Sequence, residues 1–234
     1  MNEKRKVRKN QKYFDIFADS RLIPACVYCG EGTENRDHIP AKVFLEKPYP
    51  EDMDVLNSCI PCNEGLSLDE EYVACMIEVA KKGTLENQKL RPKIAKTLSY
   101  QTKLLEKLKN EIVSYEPFEI KFDENRFHRV LLKLARGHAA HELSEFTHES
   151  DNELSFSPIH SLNESQLNSF LELPKVDLYP EIGSRGMQRM YEHRGVTWVE
   201  VQENQYYYMA YADKTGSHVR IHLNDYLAVK VCWQ

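Results

Sequence analysis

Two Cys-x-x-Cys pairs, Cys26/Cys29 and Cys59/Cys62, constrain this chain more than any other feature of its sequence. Two thiolates three positions apart on a tight turn can grip one tetrahedral ion, and Gly30 relaxes the turn behind the first pair. The second pair completes a four-cysteine set, and full protein coordination makes such a site structural and not catalytic. Residues 26 to 66 are rich in turn formers and show little periodicity, so they cannot build a core alone and need a metal's stabilisation. Two unrelated thiol pairs or a redox motif are the competing readings. The N-terminus, MNEKRKVRKNQK, has no apolar stretch behind it, so no secretory signal is expected and zinc is favoured over disulfides. Cys75 and Cys232 stand alone in apolar surroundings and read as small buried hydrophobes.

Between the pairs lies Asp37-His38-Ile39-Pro40, and directly after the second pair comes Asn63-Glu64. On its own the Asp-His pair would be an ordinary polar turn. Flanked by both cysteine pairs, the run C-V-Y-C-G, D-H-I-P, N-S-C-I-P-C-N-E resembles the HNH endonuclease superfamily over roughly residues 24 to 80. At the site it is also similar to phage Holliday-junction resolvases, and through LSLDEEY to bacterial HNH proteins of undefined role. The resemblance implies a ββα-metal core with His38 as general base and Asp37 and Asn63 as ligands of one catalytic Mg2+ or Mn2+. Zinc would hold the loop while the second ion does chemistry. Asparagine replaces the final histidine of many members. Asn57 is the one candidate for the middle asparagine that orients the histidine, although it lies close to Cys59. Glu64 is either a further ligand or a solvated helix residue. On a regular strand Asp37 and His38 point to opposite faces, so one shared site requires a bulged or twisted hairpin.

The formal net charge is -5, which argues against coating nucleic acid by bulk electrostatics. Local charge differs. Residues 4 to 12 form a basic arm, and a second lysine-rich stretch runs from Lys81 to Lys109. DNA is the expected partner, with RNA left open, and a protein partner in a defence or mobile-element system is a further expectation. Lys42, Lys133 and Arg136 are candidate nucleic-acid contacts; a solvated lysine and a charged helix stripe are the plain alternatives. No apolar run approaches the roughly 20 residues that span a bilayer, so no membrane role and a cytoplasmic location are expected. His138, His141, His148, His218 and His222 form no convincing ligand set, and Tyr206-Tyr207-Tyr208 reads as sheet surface and core.

The expected fold class is α+β. Residues 1–25 form the basic arm, with Tyr13, Phe14, Ile16 and Phe17 on a short helix face. Residues 26–83 form the zinc-stapled HNH core, 84–145 a helical region, and 146–234 a C-terminal region ending in antiparallel strands. A capping-box pattern at Ser67 starts a helix that stops near Gly83. Further helices are expected over 92–114 and from about Asp123 to Leu143. Residues 146 to 195 read as loops and short helices. VTWVEVQ, YYYMAYA, HVRIHL and LAVKVCW, separated by turn residues, read as a meander of three or four strands.

Overall fold

Asp123 caps a helix of 20 residues, Glu124–Leu143, accepting a hydrogen bond from the Arg126 amide. From Val130 to Ala140 every residue of this helix is buried. A helix buried all round lies between layers instead of on a surface, and this one contacts an N-terminal hairpin, a second long helix and a C-terminal sheet. In this computed structural model the described residues are 25–176 and 178–234. The basic arm, together with the face expected from Tyr13 to Phe17, lies outside them.

In chain order the elements are β1 (Asn35–Ile39), β2 (Asp54–Ser58), α1 (Ile60–Glu64), α2 (Ser67–Lys82), α3 (Pro92–Tyr100), α4 (Thr102–Glu111), β3 (Ile112–Tyr115) and β4 (Phe118–Ile120). They continue with α5 (Glu124–Leu143), β5 (Glu153–Pro158), α6 (Glu164–Leu171), α7 (Arg185–His193), β6 (Val199–Gln202), β7 (Tyr206–Asp213), β8 (Gly216–Leu223) and β9 (Leu227–Trp233). The fold is α+β. β1 and β2 form one antiparallel hairpin, β3 and β4 another, and the third sheet runs in the order β5-β9-β8-β7-β6.

Several expectations need correction. The capping box is absent: Ser67 is the first residue inside α2, Leu66 holds the cap position, and no side chain caps it. The helix does end as expected, with Gly83 in the left-handed region at φ 62° donating its amide to Val79. The single helix over 92–114 is two, broken at Gln101, whose ψ of 74° is not helical. Ile112 belongs to β3, where β-branched Ile112 and Val113 favour extended backbone. The C-terminal sheet gains β5, whose Leu154 and Phe156 pack on the core from a segment read as loop.

The layers are tied by buried charge. Glu78 of α2 is bound by Arg91 Nε at 2.9 Å and by Asn224 Nδ2 at 3.0 Å, which fixes the β8–β9 turn to the helices. Asp69 of α2 holds both Arg126 and Arg129 of α5, each at 2.6 Å. Among the described residues no helix is long and apolar enough to cross a membrane.

Candidate metal centre

The first cysteine pair sits on a turn closed by the Gly30 amide bonding to Cys26 O at 2.8 Å, with Gly30 at φ 78°. The Val27 amide bonds to Asn57 O at 3.1 Å, which docks this knuckle on β2. Cys59 and Cys62 come from the end of β2 and from α1, where Pro61 stands in the first helical turn. The four sulfur atoms lie within 4.8 Å of one another, and Cys29 Sγ is 3.7 Å from Cys59 Sγ. Tetrahedral Zn–S bonds of about 2.3 Å place sulfurs about 3.8 Å apart, so the cluster has the dimensions of a structural four-cysteine metal site. Burial pushes the Cys26 thiol up, but backbone amides of Cys59, Tyr28 and Cys29 outweigh it and bring the thiol down to about 6. Burial and the neighbouring sulfurs drive Cys62 strongly up. Four thiolates at this spacing are mutually compatible only around a cation. Cys75 is fully buried and Cys232 half-buried, both apart from this cluster.

With both knuckles closed on one cluster, β1 and α1 lie side by side. Asn63 Nδ2 donates to Arg36 O at 3.2 Å. Asp37 faces inward and is 6% exposed. Its Oδ2 accepts from Tyr28 at 3.2 Å and from Lys133 at 2.9 Å. Lys133 also reaches Glu70 at 2.8 Å and the Asn63 carbonyl at 3.4 Å. Two buried carboxylates therefore share one ammonium. Burial raises the pKa of Glu70, and the Asp37 charge adds to the rise against the pull of Lys133.

Lys133 and Arg136, expected to meet nucleic acid from a helix face, are turned inward. Arg136 donates to the Tyr28 and Thr147 carbonyls and so holds the first knuckle against α5. Both side chains are spent within the protein. Lys42 is exposed.

The β1–β2 ladder is regular. Arg36 faces Asn57, Asp37 faces Leu56, and His38 faces Val55 without a register shift. The bulge anticipated from the motif does not occur. Asp37 points to α5, and His38 lies half-buried on the opposite face with Arg36. Asn57 shares that outer face, opposite Arg36 and two pairs along from His38. Burial lowers the His38 pKa, Lys42 lowers it further, and Asp37 opposes both. Glu64 is exposed at the end of α1.

Sequence reading assigned the histidines no metal. Asp54, His141 and Glu142 nevertheless bring ligand atoms within 4.8 Å of one another. Arg189 Nε contacts both Glu142 oxygens at 3.1 Å, Tyr208 donates to the same carboxylate, and His141 Nε2 lies 3.4 Å from Asp54. The guanidinium already neutralises the carboxylate, so these groups form an ion-pair network joining β2, α5, α7 and the sheet. His138 stacks on Tyr208 at 3.7 Å and meets the Tyr206 hydroxyl at 2.8 Å, and burial lowers its pKa to about 3. Compared with models of known protein families the chain matches none, and no curated protein and no solved structure matches it either.

Proposed function

We propose that the chain is a metal-dependent endonuclease of the HNH type that hydrolyses phosphodiester bonds, with DNA as the substrate. The observation that carries this reading is the contact between Asn63 and the Arg36 carbonyl. The four-cysteine cluster brings the two polar motifs, far apart in sequence, onto one hairpin edge. Zinc in that cluster is the structural ion.

Asp37 and Asn63 are the residues that would hold the second ion, Mg2+ or Mn2+. The donor types suit it, although Asp37 is buried, paired with Lys133, and on the opposite face of the hairpin from His38. The Asn63 amide nitrogen is committed to Arg36, which leaves the amide oxygen as its remaining acceptor, and Asp37 and Glu70 together outnumber Lys133 in charge. When bound, such an ion polarises the phosphate and relieves charge on the leaving oxygen. His38 takes the proton from the attacking water. Its lowered pKa keeps the imidazole neutral, hence basic, at pH 7. Asn57, on the same face of the hairpin, orients that ring.

A second reading is a zinc-stapled module that binds nucleic acid or protein without cutting. The regular ladder favours it, because Asp37 and His38 occupy opposite faces and the Asp37 carboxylate is already paired with Lys133. Supercoiled plasmid incubated with Mg2+ or Mn2+ separates the two. Under the nuclease reading nicking occurs, EDTA stops it, and His38→Ala lowers it by about 10²–10⁴-fold while zinc content is unchanged. A folded, zinc-loaded protein that leaves plasmid, branched DNA and RNA intact points to the second reading or to an enzyme that needs an activating partner.

A further inference from the structure

The connection between β1 and β2 gathers positive charge around one ring. Lys93 Nζ lies 4.8 Å from the Tyr49 centroid, Lys42 Nζ 5.8 Å and Lys47 Nζ 5.9 Å. Tyr49 is itself partly buried against the core, so the hub is fixed. Lys93 reaches over from α3 and donates to the Leu45 carbonyl at 3.2 Å, to the Tyr49 hydroxyl at 2.9 Å and to the Lys42 carbonyl. It pins the loop through neutral acceptors, and among the described residues no carboxylate pairs with it.

Among the described residues none of these three lysines forms an ion pair with a carboxylate. Of the three acids in this connection, Glu46 is engaged by Arg91 at 3.3 Å, while the exposed Glu51 and Asp52 form no ion pair with these lysines. Three ammonium groups gathered around one ring repel one another, and cation–π attraction offsets only part of that. Cations with no carboxylate partner among the described residues suit an anion that arrives from outside. Lys42 and Lys47 are exposed, and Lys42 follows His38 within one short turn of chain.

We propose that this loop grips the sugar-phosphate backbone of a nucleic acid beside His38, with Lys42 and Lys47 each on one phosphate and Lys93 positioning the loop from behind. The inference rests on the nuclease reading and adds where the strand lies. A phosphodiester chain fits because it offers single negative charges at regular spacing. The ammonium groups crowding Tyr49 make the ring a hub for lysines and not a platform for bases, so the contacts are independent of sequence.

The test is binding of a labelled DNA duplex to the full-length, zinc-loaded protein without Mg2+, followed by anisotropy over a salt series. Wild type is compared with Lys42→Gln/Lys47→Gln and with Lys103→Gln/Lys109→Gln, which removes the same charge from α4. The loop variant is expected to bind at least about tenfold more weakly at low salt. Its slope of log K against log salt is expected to fall by about 2, near 0.9 per phosphate contact. The α4 variant keeps the wild-type slope. An unchanged slope in the loop variant, or an equal loss in both variants, overturns the proposal. A wild type that cuts plasmid while the loop variant keeps its slope refutes this surface alone. A wild type that neither cuts nor binds refutes the nuclease reading with it.

Discussion

Glu142 shows how one buried carboxylate can be kept charged. Burial drives its pKa up, but His141, Arg189 and the Tyr208 hydroxyl override that and hold it at about 2. Its folded value is below its unfolded one, so its stabilisation is present above about pH 4 and lost as pH falls toward 2. His141 is shifted the other way: burial lowers it, and Glu142 and Asp54 raise it further than that. Its contribution is complete below about pH 6.5 and lost as pH rises through the raised value. Asp54, raised by burial, resists ionisation in the same cluster. The urea midpoint of the wild type is therefore expected to drop between about pH 4 and pH 2, and Glu142→Gln to lose much of that dependence. Equal acid slopes in the two proteins would place the acid sensitivity elsewhere. Lys133 belongs to the same scale. Its surface role, plausible from the spacing Lys133-x-x-Arg136, fails because carboxylates far away in sequence, Asp37 and Glu70, converge on it.

At the scale of elements, α5 and β1 set each other's place. A methyl group on Gly137 would stand 2.6 Å from Ile39 Cδ1 and 3.2 Å from the Tyr28 hydroxyl, and Ile39 is too buried to move away. Gly137→Ala gains about 1 kcal/mol of helix propensity but overpacks at about 1–3 kcal/mol. A net loss of about 1 kcal/mol in chemical denaturation is expected, and a stabilised variant would mean that the hairpin rides up without strain. The helices and strands legible in the sequence are those whose period is strong. α5 shows through Phe127, Val130, Leu131 and Leu134, and β7 to β9 through alternating β-branched and aromatic residues. β5 is hard to read because ELSFSP is short, holds only two apolar residues, Leu154 and Phe156, and ends in proline, and its partner lies in the last strand. The four-cysteine cluster was legible because ligand chemistry fixes spacing. The partners of Asp37 were not, since they depend on how α2 and α5 pack.

At the scale of the whole molecule, the cysteine cluster is the keystone of the N-terminal half. It closes the turn at Gly30, the end of β2 and the start of α1 at one point, beside Val27, Tyr28 and Leu56, which are buried in the common core. One zinc per chain is expected by elemental analysis. Stripping it with a strong chelator at low pH is expected to release the hairpin while the C-terminal sheet keeps its strand signal in circular dichroism. Unchanged hydrogen-exchange protection of β1 and β2 in the stripped protein would show that the ion is dispensable. The sheet, for its part, depends on a strand made late. β9 lies between β5 and β8, so β5 emerges from the ribosome long before the strand it must pair with, whereas every ligand of the metal cluster has been made by Cys62. During synthesis the knuckle region can therefore set early, while β5 must stay unpaired through the making of α6, α7 and three further strands. For that interval the exposed edge of β5 is the part of this chain most in need of a chaperone.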